Sequence, residues 1–264
     1  MELPRTPLRL HLVIPCFNEA SRLDPEAFLR FIASDQDAAL IFVNDGSTDS
    51  TGAVLEALAR QAPARAAVLT LPENLGKAAA VRRGVLTALQ SGAAFVGYWD
   101  ADLSTPLTAV PDFLKVLQED GGIDVVMGAR VQLLGRQIRR KAARHYSGRI
   151  FATAASLVLG LAVYDTQCGA KIFRVTERLK HAFREPFIST WAFDVELLAR
   201  YRFPGGSAAR LYEIPLDRWT DVTGSKLKLR HAIGAGWDLL RLWRRYRAPR
   251  RASKAARIAA HRAE

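Results

Sequence analysis

Cysteine is scarce in this 264-residue chain. Cys16 and Cys168 make neither a disulfide framework nor a zinc spacing, and a reducing cytosol is their simplest setting. Long apolar runs are missing too. The longest candidate, Ile150 to Val163, is fourteen residues interrupted by Thr153, Ser156 and Gly160, short of the roughly 18–20 that cross a bilayer. Met1 to Leu10 holds charges and two prolines without an apolar centre, so no signal peptide is expected there. His11, His145, His181, His231 and His261 show no metal-ligating spacing. Two phosphate-binding fingerprints are absent. Pro15 to Glu19 has no glycine, which argues against a dinucleotide-binding Rossmann loop and a nicotinamide enzyme. Gly76-Lys77 suggests a P-loop, but position 71 is leucine and position 78 alanine where that motif needs glycine and a hydroxyl.

Acidic residues are missing from Val125 to Tyr164, where Arg130, Arg136, Arg139, Arg140, Lys141, Arg144 and Arg149 contribute +7. A second basic block, Ser225 to Glu264, has a net charge of +10, against +12 for the whole chain. Such excess suits a phosphorylated substrate, an anionic membrane or nucleic acid. The RNA-binding sequence motifs are missing and stacking aromatics are few, so nucleic acid is not the expected partner. A hydrophobic fraction of 49% is ample for a core.

Strand-like and helix-like stretches alternate. Leu8 to Pro15, Ala38 to Val43, Ala66 to Leu71, Ala93 to Trp99 and Asp124 to Gly128 read as strands. Helices are expected over about Asp24–Ala33 with Pro25 at the first position, Ser50–Gln61, and Lys77 to Gln90. Another is expected to start at once after Trp99, with Thr105 as N-cap and Pro106 first in the helix. The alternation predicts an α/β fold with a parallel sheet and right-handed crossovers. Strands that all point one way bring Glu19, Asp45, Asp100 and Asp102 to one edge, where open α/β sheets bind ligands.

Asp100-Ala101-Asp102 is the centre of that edge. Carboxylate oxygens suit Mg²⁺ or Mn²⁺, whose shell substrate phosphates complete; alternatively the pair merely favours a helix N-terminus. Asp45 could equally form a local turn. Lys77 opens a helix, where the macrodipole disfavours a cation, so a nearby phosphate or carboxylate is expected. Four converging acids also require a positive partner.

Val13-Ile14-Pro15-Cys16-Phe17-Asn18-Glu19, Val43 to Asp49, Asn74-Leu75-Gly76-Lys77 and Asp100-Ala101-Asp102 resemble the inverting family-2 glycosyltransferases of GT-A fold. Asp165-Thr166-Gln167-Cys168-Gly169-Ala170-Lys171, the run Trp191 to Leu198, and Gly224-Ser225-Lys226 look like the dolichyl-phosphate β-glucosyltransferases, relatives of the mannosyltransferases. The resemblance covers about Leu10 to Leu229. Leu103 to Pro106 and Ala170 depart from the family pattern.

The resemblance implies a Rossmann-like, mostly parallel sheet flanked by helices over 1–230, and a basic C-terminal helical segment over 231–264. It implies inverting transfer of a hexose, glucose from UDP-glucose first, to a polyprenyl or dolichyl phosphate. GDP-mannose, or a glycan or protein hydroxyl, is the alternative. Asp102 and Asp100 would hold Mg²⁺ or Mn²⁺. Pro15, Phe17, Glu19, Val43 and Asp45 would surround base and ribose, with Lys77, Ala101 and Lys226 completing the donor pocket. Arg130, Arg144 and Ser147 would receive the acceptor phosphate. Asp194 is read as a third site carboxylate, or as helix N-terminal charge; Glu196, about 200° around the helix, cannot face the site with it. Ile150 to Val163 is either a helix lying on the bilayer or a core helix. Ala232 to Tyr246 interleaves Trp237, Leu240 and Trp243 with arginines, as an interfacial helix on anionic lipid does. A cytoplasmic enzyme held peripherally at the cytoplasmic membrane face is the expected setting.

Overall fold

A computed structural model describes residues 8–35, 37–139, 142–202, 210–221 and 229–247. The first half follows the expected alternation. Strands β1 (Leu10–Cys16), β2 (Ala38–Asp45), β3 (Ala66–Leu71) and β4 (Phe95–Trp99) alternate with helices α1 (Pro25–Ser34), α2 (Thr51–Gln61) and α3 (Lys77–Ala88). Asp24 caps α1 by accepting from Ala27 N at 3.0 Å, with Pro25 opening the helix where its missing N–H costs nothing. β1 pairs in parallel with β2 and β4, and β2 with β3.

The second half adds α4 (Val110–Glu119), β5 (Val125–Ala129), β6 (Gln137–Arg139), α5 (Ala142–Leu159), β7 (Ala170–Arg174), α6 (Glu177–Arg184), α7 (Phe193–Arg202), β8 (Leu211–Pro215), β9 (Arg218–Thr220) and α8 (Leu229–Arg247). The main sheet has seven strands in the order β3-β2-β1-β4-β7-β5-β8. β7 runs antiparallel to both β4 and β5, so the sheet is mixed rather than wholly parallel. With β7 between them, β4 and β5 point the same way and their carboxyl ends share an edge. β6 and β9 form a separate two-stranded ribbon.

Both faces of the sheet are covered, so its strands are buried on two sides as doubly wound sheets require. One core holds Leu12, Phe28, Phe42, Trp99 and Phe113; the other holds Val13, Val43, Val81, Tyr98 and Phe173. Val43, one of the residues expected around base and ribose, packs its fully buried side chain under α3.

The helix expected to begin at Thr105-Pro106 begins later. Asp102 accepts from Ser104 N at 3.0 Å, and Trp99 Nε1 donates to Thr105 O at 2.7 Å. These bonds tie the chain to the sheet edge, and Leu103 takes a left-handed backbone (φ 49°). A single 3₁₀ turn (Leu107–Ala109) then leads into α4, with Pro111 in its first turn.

A third core joins α5, α7 and α8 through Ala155, Leu159, Val195, Leu198, Leu239 and Leu242. The boundary expected at 230 thus falls inside α8, whose apolar side packs on the body. α5 is divided: Ala155 and Leu159 are buried, whereas Ile150 and Leu157 face outward. Among the described residues, no helix is long and apolar enough to cross a membrane.

α3 approaches the sheet closely at Gly84, where a Cβ would overlap Val13 and crowd Val43. Gly84→Ala is expected to destabilise the fold by about 1–3 kcal/mol, the usual cost of overpacking a core. A lowered urea midpoint at unchanged slope is the corresponding readout.

Candidate active site

The carboxyl ends of β1, β2 and β4 open into a cleft of about 860 Å³. Its walls include Pro15, Phe17 and Glu19 after β1, Asp45 at the end of β2, Lys77 at the start of α3, and Asp100, Ala101 and Asp102 after β4. The parallel strands were expected to bring Glu19, Asp45, Asp100 and Asp102 to one edge, and the fold does so.

Two loops build the β1 and β2 side by locking together. Asn18, in a left-handed conformation (φ 52°), accepts from Thr48 N at 2.9 Å, and its own N–H donates to Ser47 Oγ at 3.1 Å. Glu19 N donates to Thr51 Oγ1 at 2.8 Å. Glu19 is ion-paired with Arg22. Burial raises the Glu19 pKa, Arg22 opposes this, and the charges of Asp102 and Asp100 push it further up. Asp45 is buried and makes a long-range bond, not a local turn: its carboxylate accepts from Leu75 N at 2.9 Å and Gly76 N at 2.8 Å. Those bonds fix the loop before α3 and hence the origin of Lys77. Gly46 (φ 64°) lets this loop pass, because a Cβ there would collide with the Glu73 and Asn74 backbone.

Lys77 supplies the positive charge that the converging acids need. Its ammonium is ion-paired with Asp100. Burial lowers the Lys77 pKa, but Asp100, Asp194 and Asp102 outweigh it and the net shift is upward.

The floor under Asp100 is the segment leading into β7. Asp100 N donates to Gly169 O at 2.9 Å, and a Cβ on Gly169 would overlap the Asp100 carboxylate. Lys171, 0% exposed, holds this segment from below. Its ammonium donates to Thr166 O at 3.0 Å, Cys168 O at 2.6 Å and Asp194 Oδ1 at 2.6 Å, which uses all three protons. Asp194 Oδ1 also accepts from Tyr98 O–H. Burial raises the Cys168 thiol to about 11, so it stays protonated and inert at neutral pH.

Asp194, read as a site carboxylate, is not among the residues that line the cleft. It is 3% exposed and engaged by Lys171 and Tyr98. Glu196 does not face the cleft either. It accepts from Ile188 N at 2.8 Å, Ser189 N at 3.2 Å and Arg200 Nη2 at 2.7 Å, holding the loop before α7. The Trp191–Leu198 motif is thus largely structural. Lys171 was missed by the sequence reading; the available signal was a lone lysine inside an otherwise apolar strand, Ala170-Lys171-Ile172-Phe173.

Arg130 leaves β5 on the same edge. Its Nε and Nη2 grip Asp165 at 2.6 and 2.8 Å, and its guanidinium lies 5.3 Å from the Trp219 ring centre. Burial opposes its charge, yet Asp165 raises its pKa further, and Asp100 adds to the rise. Glu213 accepts from Tyr164 N and Asp165 N, both at 2.7 Å, which fixes Asp165 in turn. The side chains of Arg144 and Ser147, in the first turns of α5, lie outside the described residues, as does Lys226.

No cluster of three or more His, Cys, Asp or Glu able to hold a metal occurs among the described residues. Asp100 and Asp102 offer hard oxygens to a Mg²⁺- or Mn²⁺-like ion but not a full shell, so other ligands would have to come from substrate and water. The donor set fits an ion shared with a diphosphate.

A mixed α/β sheet of this order, with an acidic pair on the edge after β4, is a GT-A-like fold, and the protein is a glycosyltransferase. The chain belongs to glycosyl transferase family 2, whose profile matches residues 11–177. It is 31% identical to the dolichyl-phosphate β-glucosyltransferase of Drosophila melanogaster, over 90% of this chain and 76% of that one. The Homo sapiens dolichyl-phosphate β-glucosyltransferase is 29% identical over 83% of this chain and 69% of its own length. Among solved structures, glucosyl-3-phosphoglycerate synthase from Mycobacterium tuberculosis, in complex with Mn²⁺, UDP-glucose and phosphoglyceric acid, aligns with a TM-score of 0.67. That alignment has 19% identity and covers 89% of this chain and 80% of that one.

Removing the Lys171 charge strands Asp194 in a dry environment. Lys171→Met is expected to cost about 3–5 kcal/mol, the range for breaking a buried ion pair. Adding Asp194→Asn should recover part of that loss in chemical denaturation.

Proposed function

We propose that this glycosyltransferase moves glucose from UDP-glucose to a polyprenyl phosphate at a membrane surface, inverting the anomeric carbon with help from Mg²⁺ or Mn²⁺. One observation carries the reading: the Asp100–Asp102 pair and Lys77 share a cleft, and Arg130 stands on the same sheet edge. The names of the 29–31% identical relatives favour glucose and a dolichyl-type acceptor.

Asp100 and Asp102 would hold the metal ion, which supplies Lewis-acid stabilisation of the departing diphosphate. Lys77 is ion-paired with Asp100 in the donor-free chain and would meet the diphosphate. Pro15, Phe17, Glu19 and Asp45 line the cleft and would surround base and ribose. The acceptor needs no general base. A phosphomonoester with a second pKa near 6 is already mostly dianionic at neutral pH. Its oxygen attacks the anomeric carbon as the bond to the diphosphate oxygen breaks; positioning and desolvation are the protein's tasks. The burial of Asp194 agrees with this, because a hydroxyl acceptor would need a general base and this carboxylate is already engaged by Lys171 and Tyr98. Arg130, backed by Asp165, with Arg144 and Ser147 would receive the acceptor phosphate; a guanidinium binds two phosphate oxygens at once. Lys226 would close on the diphosphate. The basic C-terminal residues 231–264 would lie against anionic lipid on the cytoplasmic face.

A thermal-shift panel of UDP- and GDP-sugars with Mn²⁺ tests the donor. Metal-dependent stabilisation by UDP-glucose is expected in the wild type and not in Asp102→Ala, and radiolabel from UDP-glucose should enter the organic extract when polyprenyl phosphate is present. A GDP-mannose response instead would reject glucose. Lys77→Met is expected to weaken UDP-glucose binding at least about tenfold through loss of charge-assisted bonds. The same change should tighten Mn²⁺ binding to the donor-free protein, since Asp100 loses its internal counter-ion; calorimetric titration reads both.

A further inference from the structure

The loop after β5 points its most apolar residues at solvent. Leu134 is 105% exposed and Leu133 49%, the greatest and a near-half exposure in a segment where both neighbours in sequence are tied down. On one side Arg130 is clamped to Asp165, and Val131 N donates to Ala129 O at 3.0 Å. On the other, Arg136 is ion-paired with Asp217 and donates to Pro215 O at 3.3 Å, and Gln137 N donates to Asp217 O at 2.8 Å. Arg136 N closes the turn onto Leu133 O at 3.1 Å, and Gly135 takes the left-handed backbone (φ 84°) the turn requires. The base is fastened and only the leucine pair projects.

Its place in the fold gives the projection a use. β4 and β5 point the same way, so this loop leaves the sheet on the edge that carries Asp100 and Asp102. Arg130, at the loop's root, is near enough for Asp100 to affect its ionisation. The loop also lies in the stretch from Val125 to Tyr164, which has seven cationic residues and no acidic one. Asp165 and Asp217, from outside that stretch, pair with Arg130 and Arg136 and leave the stretch net positive; an apolar tip on a net positive surface suits an anionic bilayer, the tip entering the interface. Ile150 and Leu157, seven residues apart on the outward side of α5, add apolar surface within the same acid-free stretch.

We propose that Leu133 and Leu134 form a wedge that enters the headgroup region of an anionic bilayer and brings the catalytic edge to the plane of a lipid-borne phosphate. The inference deepens the proposed acceptor reading and rests on it. A membrane lipid keeps its phosphate at the interface, so an enzyme attacking through that phosphate must bring its cleft down to it. A loop rooted beside Arg130 does so directly, whatever the outer face of α8 contributes.

Flotation of the full chain with phosphatidylcholine vesicles, with and without phosphatidylglycerol, tests the wedge. The wild type should float with anionic vesicles. Leu133→Ser/Leu134→Ser should lower the partition coefficient at least about tenfold, as loss of two buried leucines implies. The double variant should keep its unfolding midpoint and its UDP-glucose/Mn²⁺ stabilisation, because neither leucine lines the cleft. Transfer to a long-chain polyprenyl phosphate in vesicles should fall, while transfer to a short, water-soluble prenyl phosphate should not. Unchanged flotation of the variant, absence of wild-type flotation, or leucine-dependent self-association in sedimentation velocity would each overturn the wedge. Failure of the wild type to transfer to the soluble acceptor would instead overturn the proposed function, so the two failures are separable.

Discussion

The ammonium of Lys171 is the fastening on which the catalytic edge depends. Burying a lysine is costly unless its charge and protons are met, and here two carbonyls and one carboxylate meet them all. The carbonyls belong to the segment that supports Asp100, and the carboxylate belongs to α7. One group therefore joins β7, the turn before it and a helix from the other side of the sheet. Asp165, in that same turn, holds Arg130. Asp100 and Arg130 are thus positioned from one point below the cleft.

The charge balance of the edge follows from this. Asp100 and, behind it, Asp194 favour the charged form of Lys77, so the lysine keeps its proton. Arg22 serves Glu19 in the same way. Glu19 and Asp100 are each given a cation, and Asp45 and Asp102 are given backbone N–H groups. Functional acids are stabilised by their neighbours before any ligand arrives.

Much of this edge could be read from the chain. Apolar runs ending in Glu19, Asp45 and Asp100 identified strand ends, and parallel pairing did the rest. What could not be read depended on distant contacts. Val43 belongs to a recognisable motif, yet its direction follows from alternation along β2, which turns it toward α3. Asp194 looked like a free acid because its partner, Lys171, is 23 residues away on another element. The antiparallel insertion of β7 was hidden because a short apolar segment carries no mark of strand direction. The delayed start of α4 reflects bonds from Trp99 and Asp102, which outrank the local preference of Thr105-Pro106 for a helix start.

The position of β7 has a consequence for synthesis. β1, β2 and β3 can pair among themselves early, and β4 joins β1 once it has left the ribosome. β4 meanwhile exposes an edge on its far side until Ala170–Arg174 emerges and inserts. Asp194 follows still later to neutralise Lys171. The nascent chain therefore carries an unfinished sheet for about seventy residues of elongation, an interval in which an unpaired strand edge invites the wrong partner. Chaperone demand should be concentrated in that interval.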